Sequence, residues 1–103
     1  MQIDLARDRA TLALAAKDRP GAFAQLDAAQ AQLDALRENV PPCARFARFD
    51  IAVDRAIAMP RAQRRAFLDQ ARAIATQLRT AETLEPSLSQ AIDDRIGEAT
   101  RAP

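Results

Sequence analysis

The stretch Ala22–Val40 reads AFAQLDAAQAQLDALRENV, and the five residues AQLDA at positions 24–28 return unchanged at positions 31–35. A spacing of seven residues brings side chains to the same side of an α-helix. Two apolar rows result, which consist of Leu26, Leu33 and Val40 and of Ala22, Ala29 and Leu36. The opposite side carries the acidic residues Asp27, Asp34 and Glu38. This pattern predicts the central helix of a small bundle, around which the rest of the chain folds.

Composition also favours an all-α fold. Alanine, leucine, arginine and glutamine, which rank high in helix propensity, dominate the sequence, and glycine occurs only twice in 103 residues. A chain of this length is expected to form a single domain, so we assign residues 1–103 to one unit. Because 25 residues are alanine, few large apolar side chains remain to fill a core. Association with a partner or a second copy would help to bury the helix faces.

Proline residues divide the chain into segments of helical length. We predict helices over residues 3–17, 22–40, 43–59 and 61–83, and a last, short helix from residue 87. Asp18 is expected to cap the second helix, and Ser87 with Gln90 has the spacing of a capping box for the last one. Short connections favour antiparallel neighbours. The predicted fold is therefore a small antiparallel helical bundle of four to five helices with short loops.

Apolar residues in the third and fourth segments are spaced three and four apart, as expected for helices with one apolar face. They are Phe46, Phe49, Val53 and Ile57 in the third segment and Phe67, Ala71, Ile74, Leu78 and Ala81 in the fourth. The first segment differs in having apolar residues on two sides. These are Ile3, Ala10 and Leu14 on one side and Leu5, Leu12 and Ala16 on the other. We expect this helix either between neighbouring helices or against a partner.

The sequence lacks residues on which many catalytic sites depend. Histidine is absent, which excludes Ser-His and Cys-His pairs and histidine-containing metal sites. Two glycines are too few for a P-loop or a dinucleotide-binding fingerprint. No charge-free stretch exceeds seven residues, whereas a membrane-spanning helix needs about 20 apolar residues and a secretion signal also needs an apolar core. We therefore expect a cytoplasmic, non-enzymatic protein with no cofactor and no metal site.

Two features offer alternatives to that expectation. Glu82 and Glu85 have the Glu-x-x-Glu spacing with which all-α nucleotide pyrophosphatases hold Mg²⁺, but Pro86 follows directly and no second carboxylate pair completes the pattern. A carboxylate-metal hydrolase is the corresponding alternative. Cys43, the only cysteine, follows Pro42 at a predicted helix start, where amide dipoles make a thiol more reactive. The simpler interpretation of Cys43 is a small buried apolar residue.

Arginine is distributed unevenly along the chain. Residues 43–79 contain eight arginines and three aspartates, although the net charge of the whole chain is only +1. At about 100° per residue, several of these arginines fall in one narrow row on the fourth helix. Two more lie seven residues apart on the third helix. The candidate partner-binding residues are Arg61, Arg65, Arg72, Arg79, Arg48 and Arg55. The alternative is a solvated helix flank whose arginines pair with Asp27, Asp34 and Glu38.

These observations favour a protein–protein interaction module that acts as an adaptor, regulator or inhibitor of a larger assembly. Its arginine face would bind an acidic protein surface. Nucleic acid is a less favoured partner, because the chain is nearly neutral and has no tyrosine or tryptophan to stack on bases. A structural homo-oligomer that pairs through helix 22–40 is a further alternative. A membrane is not an expected partner.

Overall fold

The computed structural model describes residues 2–37, 39, 41, 44–81 and 84–102. Within these ranges the chain forms five α-helices and no strand. The helices are α1 (Gln2–Ala15), α2 (Arg19–Leu36), α3 (Ala47–Ala58), α4 (Arg65–Ala81) and α5 (Pro86–Arg101). A single 3₁₀ turn, Arg61–Gln63, lies between α3 and α4. The prediction of a small all-α bundle of four to five helices is confirmed.

Helices that follow one another in the chain run antiparallel where their contacts define a direction, whereas α1 and α5 run parallel to α3. Leu33, near the end of α2, packs in one cluster with Ala47 at the beginning of α3. Ala22, near the beginning of α2, shares another cluster with Ala58 at the end of α3. The contacts of α1 with α2 and of α4 with α5 follow the same arrangement. Helix ends therefore collect at two opposite ends of the bundle.

Helix α2 buries the side that the heptad spacing predicts. Its buried residues are Ala22, Leu26, Ala29 and Leu33, whereas Asp27 and Asp34 on the opposite side are exposed. The predicted cap is also present, because Asp18 Oδ1 accepts a hydrogen bond of 3.0 Å from the backbone N–H of Gly21. Glu38 and Val40, which the prediction placed on the same helix, lie outside the described residues.

The central helix of the bundle is α3, and the prediction that helix 22–40 takes this place is wrong. Helix α3 packs against α1, α2, α4 and α5. Phe49 and Val53 face α4 and α5, whereas Ala47 and Ile51 face α1 and α2. Four of the seven buried residues of α3 are alanine. Alanine is also common on exposed helix faces of this chain, so apolar periodicity does not reveal that α3 is buried on both sides.

Helix α1 packs through one of its two apolar sides. Ile3, Ala6 and Ala10 are buried against α2 and α3, whereas Leu5 and Leu12 are 48% and 71% exposed. We expected α1 either between neighbouring helices or against a partner. Within the described part of the chain, no helix covers the side that carries Leu5 and Leu12. None of the described helices is long and apolar enough to cross a lipid bilayer.

Two predicted helix starts are wrong. Helix α4 begins at Arg65, because residues 61–63 form the tighter 3₁₀ turn. Helix α5 begins at Pro86 with Glu85 as its N-cap, so Ser87 lies inside the helix and does not cap it. Proline is favoured in a first turn because the N–H it lacks would have no partner there. The predicted start of the third helix at Cys43 lies outside the described residues.

Candidate functional site

The predicted arginine row lies along one flank of α4. Arg65, Arg72 and Arg79 follow one another at intervals of seven residues, and their side chains are 93%, 52% and 36% exposed. Arg61 is also exposed, but it belongs to the 3₁₀ turn that precedes α4. We call Arg61, Arg65, Arg72 and Arg79 the arginine row. The end of the row at Arg79 lies beside α5, because Arg79 bonds to that helix.

The far end of the arginine row is engaged within the fold. Arg79 donates a hydrogen bond of 3.0 Å to Asp93. It also donates to the hydroxyl and the carbonyl oxygen of Ser89, at 3.0 and 2.9 Å. These bonds hold Arg79 across the boundary between α4 and α5, so this guanidinium is less available to a partner than its exposure suggests.

The middle of the arginine row has looser contacts. Arg72 lies 3.4 Å from Asp69, and Arg65 lies 4.0 Å from the same carboxylate. Exposed ion pairs of this kind contribute about 0–1 kcal/mol. A partner carboxylate can therefore replace Asp69 at little energetic cost, and Arg65 is the more accessible of the two arginines.

The acids of α2 neutralise one arginine of the predicted set. Arg55 Nη2 lies 3.0 Å from Asp27 Oδ1, and the Arg55 side chain is only 18% exposed. Asp34 instead accepts a hydrogen bond within its own helix, and Glu38 lies outside the described residues. Arg48 is exposed at the other end of α3 and makes no ion pair within the described ranges. The acidic side of α2 thus leaves the arginine row on α4 open.

Arg64 is a buried cation that the sequence pattern did not identify. It is only 1% exposed, and its guanidinium donates hydrogen bonds of 2.6–3.3 Å to backbone carbonyls at two helix ends. The acceptors belong to Ala56, Ile57 and Met59 at the end of α3 and to Ala99 and Ala102 at the end of α5. The last carbonyls of a helix have no partner within the helix. Arg64 therefore caps and joins both helix ends.

A signal for Arg64 does exist in the sequence. Arg64 precedes Phe67, Leu68 and Ala71 by three, four and seven residues, which is the spacing of one helix face. The apolar face of α4 therefore extends back to an arginine. The many other arginines of residues 43–79 make Arg64 resemble one more surface cation.

The helix ends around Arg64 bring further cations together. Burial lowers the pKa of Arg64, and the positive charges of Arg61 and Arg19 lower it further, so both are near it. We call this region the basic pole. Its six cations are Lys17, Arg19, Arg61, Arg64, Arg65 and Arg101. The chain segments that form it are residues 15–21, 59–65 and 99–102, and their only acid is Asp18.

That single acid is already engaged in the fold. The Asp18 carboxylate accepts the Gly21 N–H and packs so tightly on Gly21 that a Cβ there would collide with it. Asp18 therefore serves the first turn of α2. The cations of the basic pole gain little compensation from it.

Three cations of the basic pole occupy positions that the local backbone disfavours. Arg19 and Arg65 are the first residues of α2 and α4, where the partial positive charge of a helix N-terminus repels a cation. Lys17 follows α1 with a φ of 61°, a conformation for which glycine is the usual residue. Local stability does not explain a cation at the two helix starts, nor a residue other than glycine at position 17.

A cavity of about 480 Å³ opens at the basic pole. It lies where the ends of α1, α3 and α5 meet the beginning of α2. Its lining residues are Leu14, Ala15, Lys17, Arg19, Ile57 and Ala102. The cavity thus combines apolar walls with two positive charges.

A second charged group lies between α1, α3 and α5 and is internally satisfied. Arg7 donates a hydrogen bond of 2.7 Å to Asp54 and lies 3.5 Å from Asp50. Arg95 donates to Asp54 at 3.1 Å and to Glu98 at 3.0 Å. Three members of this group line a cavity of about 380 Å³. Because the charges bond to one another, we interpret the group as a connection between helices.

The residues of the catalytic alternatives are not assembled in the described structure. Glu82 and Cys43 lie outside the described residues, and Glu85 is exposed at the N-cap of α5. Within the described ranges no group of three or more aspartate, glutamate or cysteine side chains is arranged to hold a metal ion. The basic pole and the arginine row are therefore the main candidate site.

Comparisons of the chain with protein-family models, with curated proteins and with solved structures give no match in any of the three. A function for the basic pole has to be derived from its own geometry and charge.

Proposed function

We propose that this chain is a non-enzymatic protein–protein interaction module, an adaptor, regulator or inhibitor of a larger assembly, and that it acts in the cytoplasm. Its basic pole and the adjoining arginine row would bind an acidic surface of the partner protein. The observation that carries the proposal is the excess of five exposed cations over one carboxylate in the segments of the pole. A surface with charge of one sign attracts an oppositely charged partner and increases the rate of encounter.

The centre of the proposed surface is the pair Arg61 and Arg65. Arg61 is exposed and makes no ion pair with the described residues, and Arg65 is 93% exposed with its nearest carboxylate at 4.0 Å. A guanidinium can form two parallel hydrogen bonds with a carboxylate, which gives the contact direction as well as attraction. Arg72 and Arg79 have closer partners and take a secondary part, and Arg55 is the least available.

The stability that the fold gives up at the pole also supports the proposal. Arg19, Arg65 and Lys17 each hold a cation where an acid, a neutral residue or a glycine would suit the local backbone better. Residues that break a local rule are expected mainly at functional sites. A requirement for positive charge at the pole explains all three positions together.

Two other functions fit the observations less well. Nucleic acid could contact the same cations, but the segments of the pole contain no aromatic residue that could stack on a base. A homo-oligomer formed through α2 would need its apolar rows, and Leu26 and Leu33 are buried within the single chain. An acidic protein surface requires neither feature.

The proposal is tested by reversing charge at the pole. The variant carries Arg61→Glu and Arg65→Glu. Its control carries Arg9→Glu and Arg37→Glu, which change the net charge equally at exposed residues outside the pole and the predicted arginine set. Each protein is used as bait for capture from the native cell after nuclease treatment. We expect the wild type and the control to retain one common protein, and the pole variant to lose it.

Capture by the pole variant equal to that of the wild type would contradict the proposal, and so would two other results. The first is equal loss of the captured protein in the pole variant and the control, which would indicate an effect of net charge alone. The second is capture that occurs only when nuclease treatment is omitted, which would assign the surface to nucleic acid. Circular dichroism of all three proteins checks that the helices are intact.

A further inference from the structure

The cavity at the basic pole has two chemically different parts. Leu14 and Ile57 form a half-buried apolar wall, extended by Ala15 and Ala102. Lys17 and Arg19 are exposed and carry the charges of the cavity. Neither cation makes an ion pair with the described residues. An occupant must therefore offer an apolar group and negative charge close together.

We infer that this cavity receives an aliphatic side chain from an acidic segment of the partner protein, while neighbouring carboxylates of that segment bind Lys17 and Arg19. The inference rests on the proposed function and states which part of the partner the basic pole selects. The apolar contact would add specificity to an attraction that charge alone leaves unselective.

The size of the cavity suits such an occupant. Cavities of about 300–1,000 Å³ are typical of ligand sites in proteins, and this one measures about 480 Å³. A leucine side chain and part of the backbone that carries it fit in this space. Two of its lining residues, Ala15 and Ala102, are small and apolar, which leaves room that larger side chains would fill.

The distribution of charge favours a peptide segment over a small amphiphilic anion. A single headgroup would need only the two cations of the cavity. Further cations continue beyond it, because Arg61 adds its charge near Arg64 and the exposed Arg65 directly follows Arg64 in the chain. A chain with several carboxylates can engage this wider surface while one of its side chains enters the cavity.

Two probe peptides test the inference on the wild-type protein. One is acetyl-Glu-Glu-Leu-Glu-Glu-amide, and the other has glycine in place of leucine. Titration followed by NMR gives the dissociation constant of each and the backbone amides that shift. Burial of a leucine side chain predicts that the leucine peptide binds about tenfold more tightly. The largest shifts should occur around the cavity, at the ends of α1 and α3.

A filled cavity provides the matched variant. Ala15→Phe places a ring at the cavity wall without changing charge, and Ala62→Phe places the same ring on the exposed 3₁₀ turn outside the cavity. Ala15→Phe should reduce the affinity for the leucine peptide to that for the glycine peptide. Ala62→Phe should preserve the tenfold difference. Arg61→Glu with Arg65→Glu should weaken both peptides.

Each remaining outcome would overturn the inference. Equal binding of the two peptides to the wild type would show that charge acts without the cavity, and the proposed function would stand. Octanoate that binds the cavity when neither peptide does would assign it to a fatty carboxylate. Absence of binding by all three probes would also reject the inference, and the separate capture experiment would still decide the proposed function.

Discussion

At the scale of single residues, Arg64 is the side chain on which the fold depends most directly. It serves five backbone carbonyls from two helix ends while it is itself buried. Arg64→Leu leaves these acceptors without the guanidinium, and a buried group that loses its partner costs about 1–3 kcal/mol. We expect Arg64→Leu to lower the free energy of unfolding by about 3 kcal/mol or more, measured by urea denaturation.

The conservative variant Arg64→Lys separates charge from geometry. An ammonium group has three donors and lacks the planar fork that reaches both helix ends. The stability of Arg64→Lys should lie between those of the wild type and Arg64→Leu. If Arg64→Leu unfolds at the same urea concentration as the wild type, Arg64 does not join α3 to α5 as described.

Residue-level prediction from sequence succeeded where one local rule decided the structure. Asp18 caps α2 as predicted, because a carboxylate before a helix has few better contacts than the free N–H groups. Arg64 was missed, because its burial depends on carbonyls brought from α3 and α5, which no local spacing describes. The positive φ of Lys17 was missed because a glycine, the usual signal for this conformation, is absent there.

At the scale of helices, periodicity predicted the elements better than their arrangement. Five helical segments were predicted, and five helices are described. The central place of α3 was not predicted, because Ala52 and Ala56 are small and Ile51 lies off the recognised apolar face. Which residues of an alanine-rich helix are buried depends on how closely its neighbours approach, and that is a property of the assembled bundle.

The charged group between α1, α3 and α5 gives the fold a pH dependence. Burial raises the pKa of Asp50, and the nearby charge of Asp54 raises it further, against the opposing charge of Arg7. Folded Asp50 therefore keeps its proton to a higher pH than unfolded Asp50, whose ordinary pKa is 3.8. The folded state binds more protons above that value, so the contribution of Asp50 to stability falls as pH rises through this window.

Asp50→Asn isolates this contribution, because asparagine is neutral at every pH. We expect the stability of Asp50→Asn relative to the wild type to increase from pH 4 to pH 7. Urea midpoints of both proteins at the two pH values give the comparison, and carboxylates that do not interact with Asp50 cancel because both proteins contain them. A difference that stays constant or shrinks toward pH 7 would contradict the raised pKa.

At the scale of the whole molecule, the bundle carries an excess of positive charge at one end. The ends of α1, α3 and α5 meet there, and residues distant in the sequence, such as Arg19 and Arg61, belong to one surface. The sequence predicted an arginine row on one helix but not this assembly, because it depends on antiparallel packing. The central claim is that these cations are present to bind a partner, at some expense of stability.

A single variant tests that claim. Lys17→Gly relieves the left-handed conformation and Arg19→Glu suits the N-terminus of α2, so together they should stabilise the fold by about 1 kcal/mol. The melting temperature should rise by about 5 °C. The deciding measurement is capture of the partner by this more stable protein. The claim predicts that capture is lost, and capture equal to that of the wild type would contradict it.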